Sequence, residues 1–223
     1  MGLETMHYLT RRTFLASLGA ASAILLAAPM ALAAKSVDMS EDQSAAVREI
    51  ADFINGYKNL QGEFTQVGPT GRVSKGVFYL SKPGKMRFEY AAPNPFVIVS
   101  DGSWVVVKNR SKDKSDEYPL SQTPLRLVLS DKINLFKETN ILNVEQADGL
   151  TTVTLEDRKK MMPGQLILVY DQNNKALQQW VVVDGKGRRT TVRLEKLEAG
   201  IAPDPKLFKI EVRRVGNKAN QNR

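Results

Sequence analysis

The hydrophobic pattern of the chain changes period once. From Ser40 to Gly56 the apolar positions Val47, Ile50, Ala51, Ile54 and Tyr57 recur at helical spacing. Ser40-Glu41-Asp42-Gln43 is a capping-box pattern, and Gly56 is a suitable stop. This predicts one amphipathic helix. Beyond it the apolar positions alternate, as in Met86-Arg87-Phe88-Glu89-Tyr90. The alternating runs are joined by turn chemistry: Ser81-Lys82-Pro83-Gly84, Ser100-Asp101-Gly102-Ser103, Asp148-Gly149, Asn173-Asn174 and Asp184-Gly185-Lys186-Gly187. The pattern predicts about ten to twelve strands, from Leu60–Val67 to Leu207–Arg213, each antiparallel to the next.

One segment interrupts the meander. Thr123 suits an N-cap and Pro124 a first helical position, after which Leu125, Val128 and Leu129 share a face. A second short turn from Ser130 carries Ile133 and Phe136. The expected class is therefore mostly β (α+β): a long curled meander with an N-terminal helix and an apolar helical insertion. A sheet of about eleven strands encloses more room than its own side chains readily fill. Either a cavity or a packed helix can occupy that room.

The residues before the helix change the picture of where the protein works. Arg11-Arg12 precedes an uncharged run from Phe14 to Ala28, which ends in Ala31-Leu32-Ala33. The run is short for a spanning helix, Pro29 breaks it, and the small-x-small ending suits a signal peptidase. Residues 1–33 are thus expected to be a cleaved export signal. The paired arginines resemble a twin-arginine signal, and they also make an ordinary positive n-region for general secretion. Residues 34–214 form one expected domain, and the polar segment 215–223 an expected disordered tail. Removing 1–33 takes away Arg11, Arg12 and Glu4, which lowers the net charge from +8 to +7.

The same cleavage removes His7, the single histidine, and the chain has no cysteine. Disulfides, an N-terminal lipidated cysteine, zinc sites and Ser-His or Cys-His catalysis are all excluded from the processed chain. Ser111-Lys112-Asp113-Lys114 matches a Ser-x-x-Lys pattern but sits in a polar, charge-dense loop with nothing apolar to depress a lysine pKa. Glu156-Asp157 are strand neighbours and point to opposite faces. The expectation is a protein without catalytic residues, metal or cofactor.

Several motifs in order resemble the LolA family of periplasmic lipoprotein carriers. They are Phe64-Thr65-Gln66, Gly76-x-Phe78-x-Leu80-x-Lys82-Pro83-Gly84-x-x-Arg87-x-x-Tyr90, Pro93, Val99-Ser100-Asp101-Gly102, Pro119-Leu120-x-x-Thr123-Pro124-Leu125, Asp184-x-x-Gly187 and Leu207-Phe208-x-Ile210. The resemblance covers nearly all of the chain after residue 33. It implies an incomplete antiparallel β-barrel with a helical lid over an apolar cavity. It also implies acylated lipoproteins as cargo, an inner-membrane ABC complex as donor, and an outer-membrane receptor or membrane as acceptor. A monomer is expected.

On this resemblance the cavity residues are Phe64, Phe78, Leu80, Met86, Phe88, Tyr90, Val97, Val99, Trp104 and Val106. Without it, such apolar strand faces are ordinarily core. The lid residues are Leu125, Val128, Leu129, Ile133 and Phe136. Family members often carry Arg where this chain has Lys82, a position from which it would hold lid carbonyls; Lys supplies the charge but not the planar fork. The positive charge suits anionic headgroups or an acidic partner, and no aromatic–basic signature points to nucleic acid. A second function class remains open: a regulatory module that senses lipoproteins on the same fold.

Overall fold

The structure is a computed structural model, and it describes residues 38–210 apart from 113, 160 and 162. The expected signal, its cleavage site and the tail 215–223 lie outside the described residues.

The first helix forms as its sequence dictates. α1 spans Glu41–Gly56, and both halves of the Ser40–Gln43 capping box are present. Val47, Ile50 and Ile54 are fully buried on one face. Eleven strands follow: β1 Asn59–Val67, β2 Val73–Ser81, β3 Lys85–Tyr90, β4 Phe96–Asp101, β5 Trp104–Asn109, β6 Lys114–Pro119, β7 Thr139–Ala147, β8 Leu150–Asp157, β9 Gly164–Asp171, β10 Ala176–Asp184 and β11 Arg189–Ala199.

All belong to one antiparallel sheet in the order β6-β5-β4-β3-β2-β1-β11-β10-β9-β8-β7. Two meanders, β1–β6 and β7–β11, are joined where β1 pairs with β11. The sheet is not closed, so β6 and β7 are its edges. Residues 120–138 connect one edge to the other and carry a 3₁₀ turn at Leu120–Gln122, α2 at Leu125–Val128 and α3 at Leu135–Glu138. The result is an incomplete barrel with helices, as expected.

Register fixes which side chains share a face. Phe64 stands opposite Gly76, and Gly76 opposite Tyr90; Phe78 stands opposite Phe88, and Phe88 opposite Ile98. These columns make one aromatic cluster, with Phe64 and Phe88 4.8 Å apart and Phe78 stacked on Phe88 at 5.5 Å between ring centres. Gly76 makes the cluster possible. A Cβ there would lie 2.0 Å from the Glu89 carbonyl oxygen and 2.7 Å from the Phe64 ring.

Three local expectations are corrected. Lys114–Pro119 is a strand and not part of a polar loop. As an edge strand with no apolar face, it carries no period-two signal. Thr123 does not cap α2; its hydroxyl donates to the Leu120 carbonyl at 2.9 Å and closes the preceding turn, leaving Pro124 as the cap. Residues Pro205–Phe208 form a 3₁₀ turn where a last strand was expected, because Pro205 follows Asp204, whose carboxylate accepts from Lys206 N. Residues 211–213 of that expected strand lie outside the described residues.

Gly76→Ala should lose at least about 2 kcal/mol of stability, because the methyl group overpacks a strand pair and an aromatic ring together. Urea unfolding of the purified variant measures this, and a loss below half that figure would show that β2 and β3 can part locally.

Candidate functional site

The concave face of the sheet keeps an open apolar cavity of about 240 Å³. Its walls are Gln66, Met86, Phe88, Tyr90, Ile98, Trp180, Val182, Thr190 and Val192, and the connecting segment adds Pro124 and Leu125. Each wall residue takes its place from strand alternation. Phe88 and Trp180 approach edge to face at 6.0 Å and form the floor. The one polar pair on the wall satisfies itself, since Tyr90 donates its hydroxyl to Gln66 Oε1 at 2.7 Å. Burial pushes the Tyr90 phenol up to about 12, opposed by that hydrogen bond. The cavity thus offers chiefly methyl, thioether and ring surface, with the Thr190 hydroxyl and the Gln66–Tyr90 pair as its polar groups.

The ten strand residues expected to line a cavity divide into three groups. Met86, Phe88 and Tyr90 line it. Phe64, Phe78 and Leu80 are on the same face but packed in the core beneath it. Val97, Val99, Trp104 and Val106 lie on the opposite face and are corrected. Val97 pairs with Glu89, Val99 with Arg87 and Val106 with Val99, so all three share the outer side with the Arg87–Glu89 ion pair. They floor a second groove with Leu207 and Ile210. Trp104 lies two residues from Val106 on that outer side and is 46% exposed. Phe96–Val99 and Trp104–Val107 are apolar at every position, so periodicity alone could not set their phase. Ile98, Trp180, Val182 and Val192 were missed. Of these, Ile98 could have been placed by pairing it across from Phe88.

The connecting segment is apolar inward. Leu127, Val128, Leu129, Ile133 and Leu135 are buried, and Leu125 and Phe136 pack partly exposed against the core. Among the polar bonds that hold the segment, three sets bear on its middle. At one, the Tyr57 hydroxyl donates to the Val128 carbonyl at 3.1 Å and Gly84 N donates to the Leu129 carbonyl at 2.9 Å. At another, the Asn55 side chain pairs with Ile133, accepting from its N–H at 2.8 Å and donating to its carbonyl at 3.0 Å. At the third, Arg126 binds Asp157 at the end of β8 and Glu138 at 3.2 Å. Burial alone would raise the Asp157 carboxyl, but the Met161 N–H and the Arg126 guanidinium outweigh it and hold the group below its usual range. Arg126 Nε is buried without a hydrogen-bond partner, so this anchor is incompletely satisfied.

Lys82 is 3% exposed. Its ammonium does not reach a carbonyl of the connecting segment, as the sequence suggested. It donates to the Ile54 carbonyl in the last turn of α1 and sits 3.9 Å from the centre of the Tyr57 ring. α1 has no basic residue of its own in that turn, so the β2–β3 turn supplies the cation its C-terminal carbonyls favour. Burial pulls the Lys82 pKa down to about 8, opposed by the charge of Asp131. Ser111, Lys112 and Lys114 of the Ser-x-x-Lys pattern are all exposed, and Asp113 lies outside the described residues.

Residues 55–211 match the model of the family described as outer membrane lipoprotein carrier protein LolA. The chain belongs to the LolA family. An outer-membrane lipoprotein carrier protein of Alkalilimnicola ehrlichii is 30% identical over 205 residues, covering 86% of this chain and 90% of that one. Another, of Methylococcus capsulatus, is 28% identical over 178 residues, covering 76% and 85%. Among solved structures, a LolA-superfamily protein of Nitrosomonas europaea is 11% identical with a TM-score of 0.44, covering 75% of this chain and 97% of that one. MucB, in the Pseudomonas aeruginosa MucA/MucB complex, is 15% identical with a TM-score of 0.41, covering 76% and 61%. Against this LolA background the Lys82 contacts and the Arg126 anchor are properties read from the chain's own geometry.

Two variants test the anchors. Lys82→Met leaves the Ile54 carbonyl without its donor and should cost about 1–3 kcal/mol at neutral pH. The native lysine deprotonates near pH 8 when folded and near 10.5 when unfolded, so unfolding takes up a proton between those values. Native stability from this group therefore rises from pH 8 to 10.5, and the gap to Lys82→Met should widen over that window. Parallel urea-stability curves for the two proteins would refute the assignment. Arg126→Met leaves a buried carboxylate short of its partner and should cost about 2–3 kcal/mol at pH 7. That loss should shrink as pH falls below 3.8, through the depressed native pKa of Asp157, because protonation removes the stranded charge.

Proposed function

We propose that the protein is a periplasmic carrier that shelters the acyl chains of lipoproteins released from the inner membrane and delivers them to the outer membrane. The observation that supports this best is the apolar cavity beneath Leu125, in a chain of the LolA family. Export by the segment 1–33, with cleavage after Ala33 and a single domain over 34–214, belongs to the same proposal. So do an inner-membrane ABC complex as donor, an outer-membrane receptor or membrane as acceptor, and action as a monomer. Among the described residues no helix is long and apolar enough to cross a membrane.

The cavity volume speaks to mechanism. At about 240 Å³ it falls below the ~300–1,000 Å³ of ordinary small-ligand pockets. Acyl cargo therefore requires Leu125 and its neighbours to move aside, with Val128 and Leu129 leaving buried positions. Three chains of roughly sixteen carbons would gain about 38 kcal/mol gross at ~0.8 kcal/mol per methylene. Non-covalent affinity saturates near ~20 kcal/mol. Displacing protein contacts offsets the excess, so the acceptor competes on nearly even terms and release needs no nucleotide.

Mass spectrometry of material co-purifying with the processed protein tests the cargo, and acylated lipoprotein is the expected finding. Tyr57→Phe tests the gating. It removes the hydroxyl bond to Val128 and keeps the ring, so the closed state should lose about 1 kcal/mol. Affinity for a fluorescent fatty-acyl ligand should then rise up to about five-fold, because the closed state competes with binding. Unchanged affinity in a folded variant would argue that this segment does not gate the cavity.

A further inference from the structure

Antiparallel meanders send alternate turns to opposite ends of a sheet. One end here gathers the turns β1–β2, β3–β4, β5–β6, β8–β9 and β10–β11. The cavity reaches this same end, because Gln66, Tyr90 and Thr190 line it and lie at the ends of β1, β3 and β11 nearest those turns.

Among the described residues, the turns at this end carry positive charge only. Arg72, Arg110, Lys112, Lys159, Lys186 and Arg189 are all exposed, and none makes an ion pair among the described residues. The carboxylates that close β8 and β10 are already engaged, Asp157 by Arg126 and Asp184 by Arg188. Apolar side chains lie among the cations: Val73 is 58% exposed, Met161 44% and Phe96 38%. The opposite end differs. Its turns carry Asp101, Asp148 and Asp171, its Lys82 is buried, and Lys175 is paired with Glu49 at 3.2 Å, leaving Lys58, Lys85 and Lys132, the last beside Asp131, as exposed cations nearby.

We propose that the cavity end of the barrel docks on an anionic phospholipid surface, with the cavity opening toward the lipid. Five of the cations belong to four separate turns and Arg189 begins β11, so they extend across the sheet from the β5–β6 turn to the β8–β9 turn, and the partner must present negative charge across that whole width. A phosphate-bearing headgroup layer does so in any orientation, and it also accepts the interleaved Val73, Phe96 and Met161 at its boundary with the acyl region. The Debye length confines the attraction to close approach, so docking is reversible and sensitive to salt. The purpose assigned to this surface rests on the carrier reading; the binding itself does not.

The test is sedimentation of the processed protein with vesicles of phosphatidylcholine alone and of phosphatidylcholine mixed with phosphatidylglycerol. Binding is expected to the mixed vesicles only and should vanish at high salt. Each cation near the surface is worth about five-fold in partitioning, so Lys112→Gln, Lys186→Gln and Arg189→Gln combined should weaken binding on the order of a hundred-fold. Lys58→Gln with Lys85→Gln, at the other end, should leave it unchanged. Equal weakening by both sets, equal binding to both vesicles, or binding to neither overturns the proposal, and the last outcome would point to an acidic protein instead. The cargo measurement separates the two ideas. A triple variant that still carries acyl cargo but binds the mixed vesicles as tightly as the native protein sinks the docking surface alone. Salt-sensitive vesicle binding by protein that never carries cargo sinks the carrier reading alone.

Discussion

The buried ammonium of Lys82 ties together the three parts of the molecule on which any cavity depends. Its side chain ends α1 by donating to the Ile54 carbonyl, and its backbone N–H donates to the Lys58 carbonyl at 2.8 Å where β1 begins. The Tyr57 ring lies under the ammonium, and the hydroxyl of that ring reaches Val128 in the connecting segment. Two residues on, Gly84 donates to Leu129, in the same segment. Helix, hairpin and connecting segment therefore meet at one point. A Cβ at Gly84 would lie 2.6 Å from Gly102 Cα, and its φ of +73° is a glycine conformation, so the turn cannot be re-formed by most other residues.

Such a junction is costly to bury, and the cost has a structural use. The ammonium is tolerated because a carbonyl, an aromatic face and the field of Asp131 all favour it. None of these partners is strong alone. The bonds from this junction to the connecting segment are two neutral hydrogen bonds, each worth about 1 kcal/mol net. The Arg126–Asp157 anchor is stronger, and it lies on the other meander, at the end of β8. A segment held weakly at one point and firmly at another can swing without being lost.

Much of this was legible in the sequence, for local reasons. The capping box of Ser40, the turn glycines and the alternation of Met86–Tyr90 each act within a few residues, and each formed as read. The helical content of 120–138 was legible too, although its caps were not. What escaped depends on distant pairing. Whether Val97 or Ile98 faces inward is decided by the register of β4 against β3, to which an all-apolar run is indifferent. The exposed edge strand β6 had no apolar face to show. The partner of Lys82 lies 28 residues away in sequence, and that of Arg126 31 residues away.

These same long-range pairings decide what the cavity can be. A sheet of eleven strands left open between β6 and β7 has an apolar face too large for α1 alone to cover, since α1 packs chiefly on β7, β10 and α3. The uncovered remainder lies around Met86, Phe88 and Trp180, and only Pro124 and Leu125 stand over it. Packing the remainder fully would need a longer helix in the connecting segment. α2 is four residues long and begins at a proline cap, so it makes a single turn and stops. The shortness of α2 leaves the floor unfilled, and an unfilled apolar floor under a segment tied by neutral hydrogen bonds gains most from a flexible apolar chain. The cavity therefore follows from the length of one helix, set against a sheet whose width is fixed by the pairing of β1 with β11.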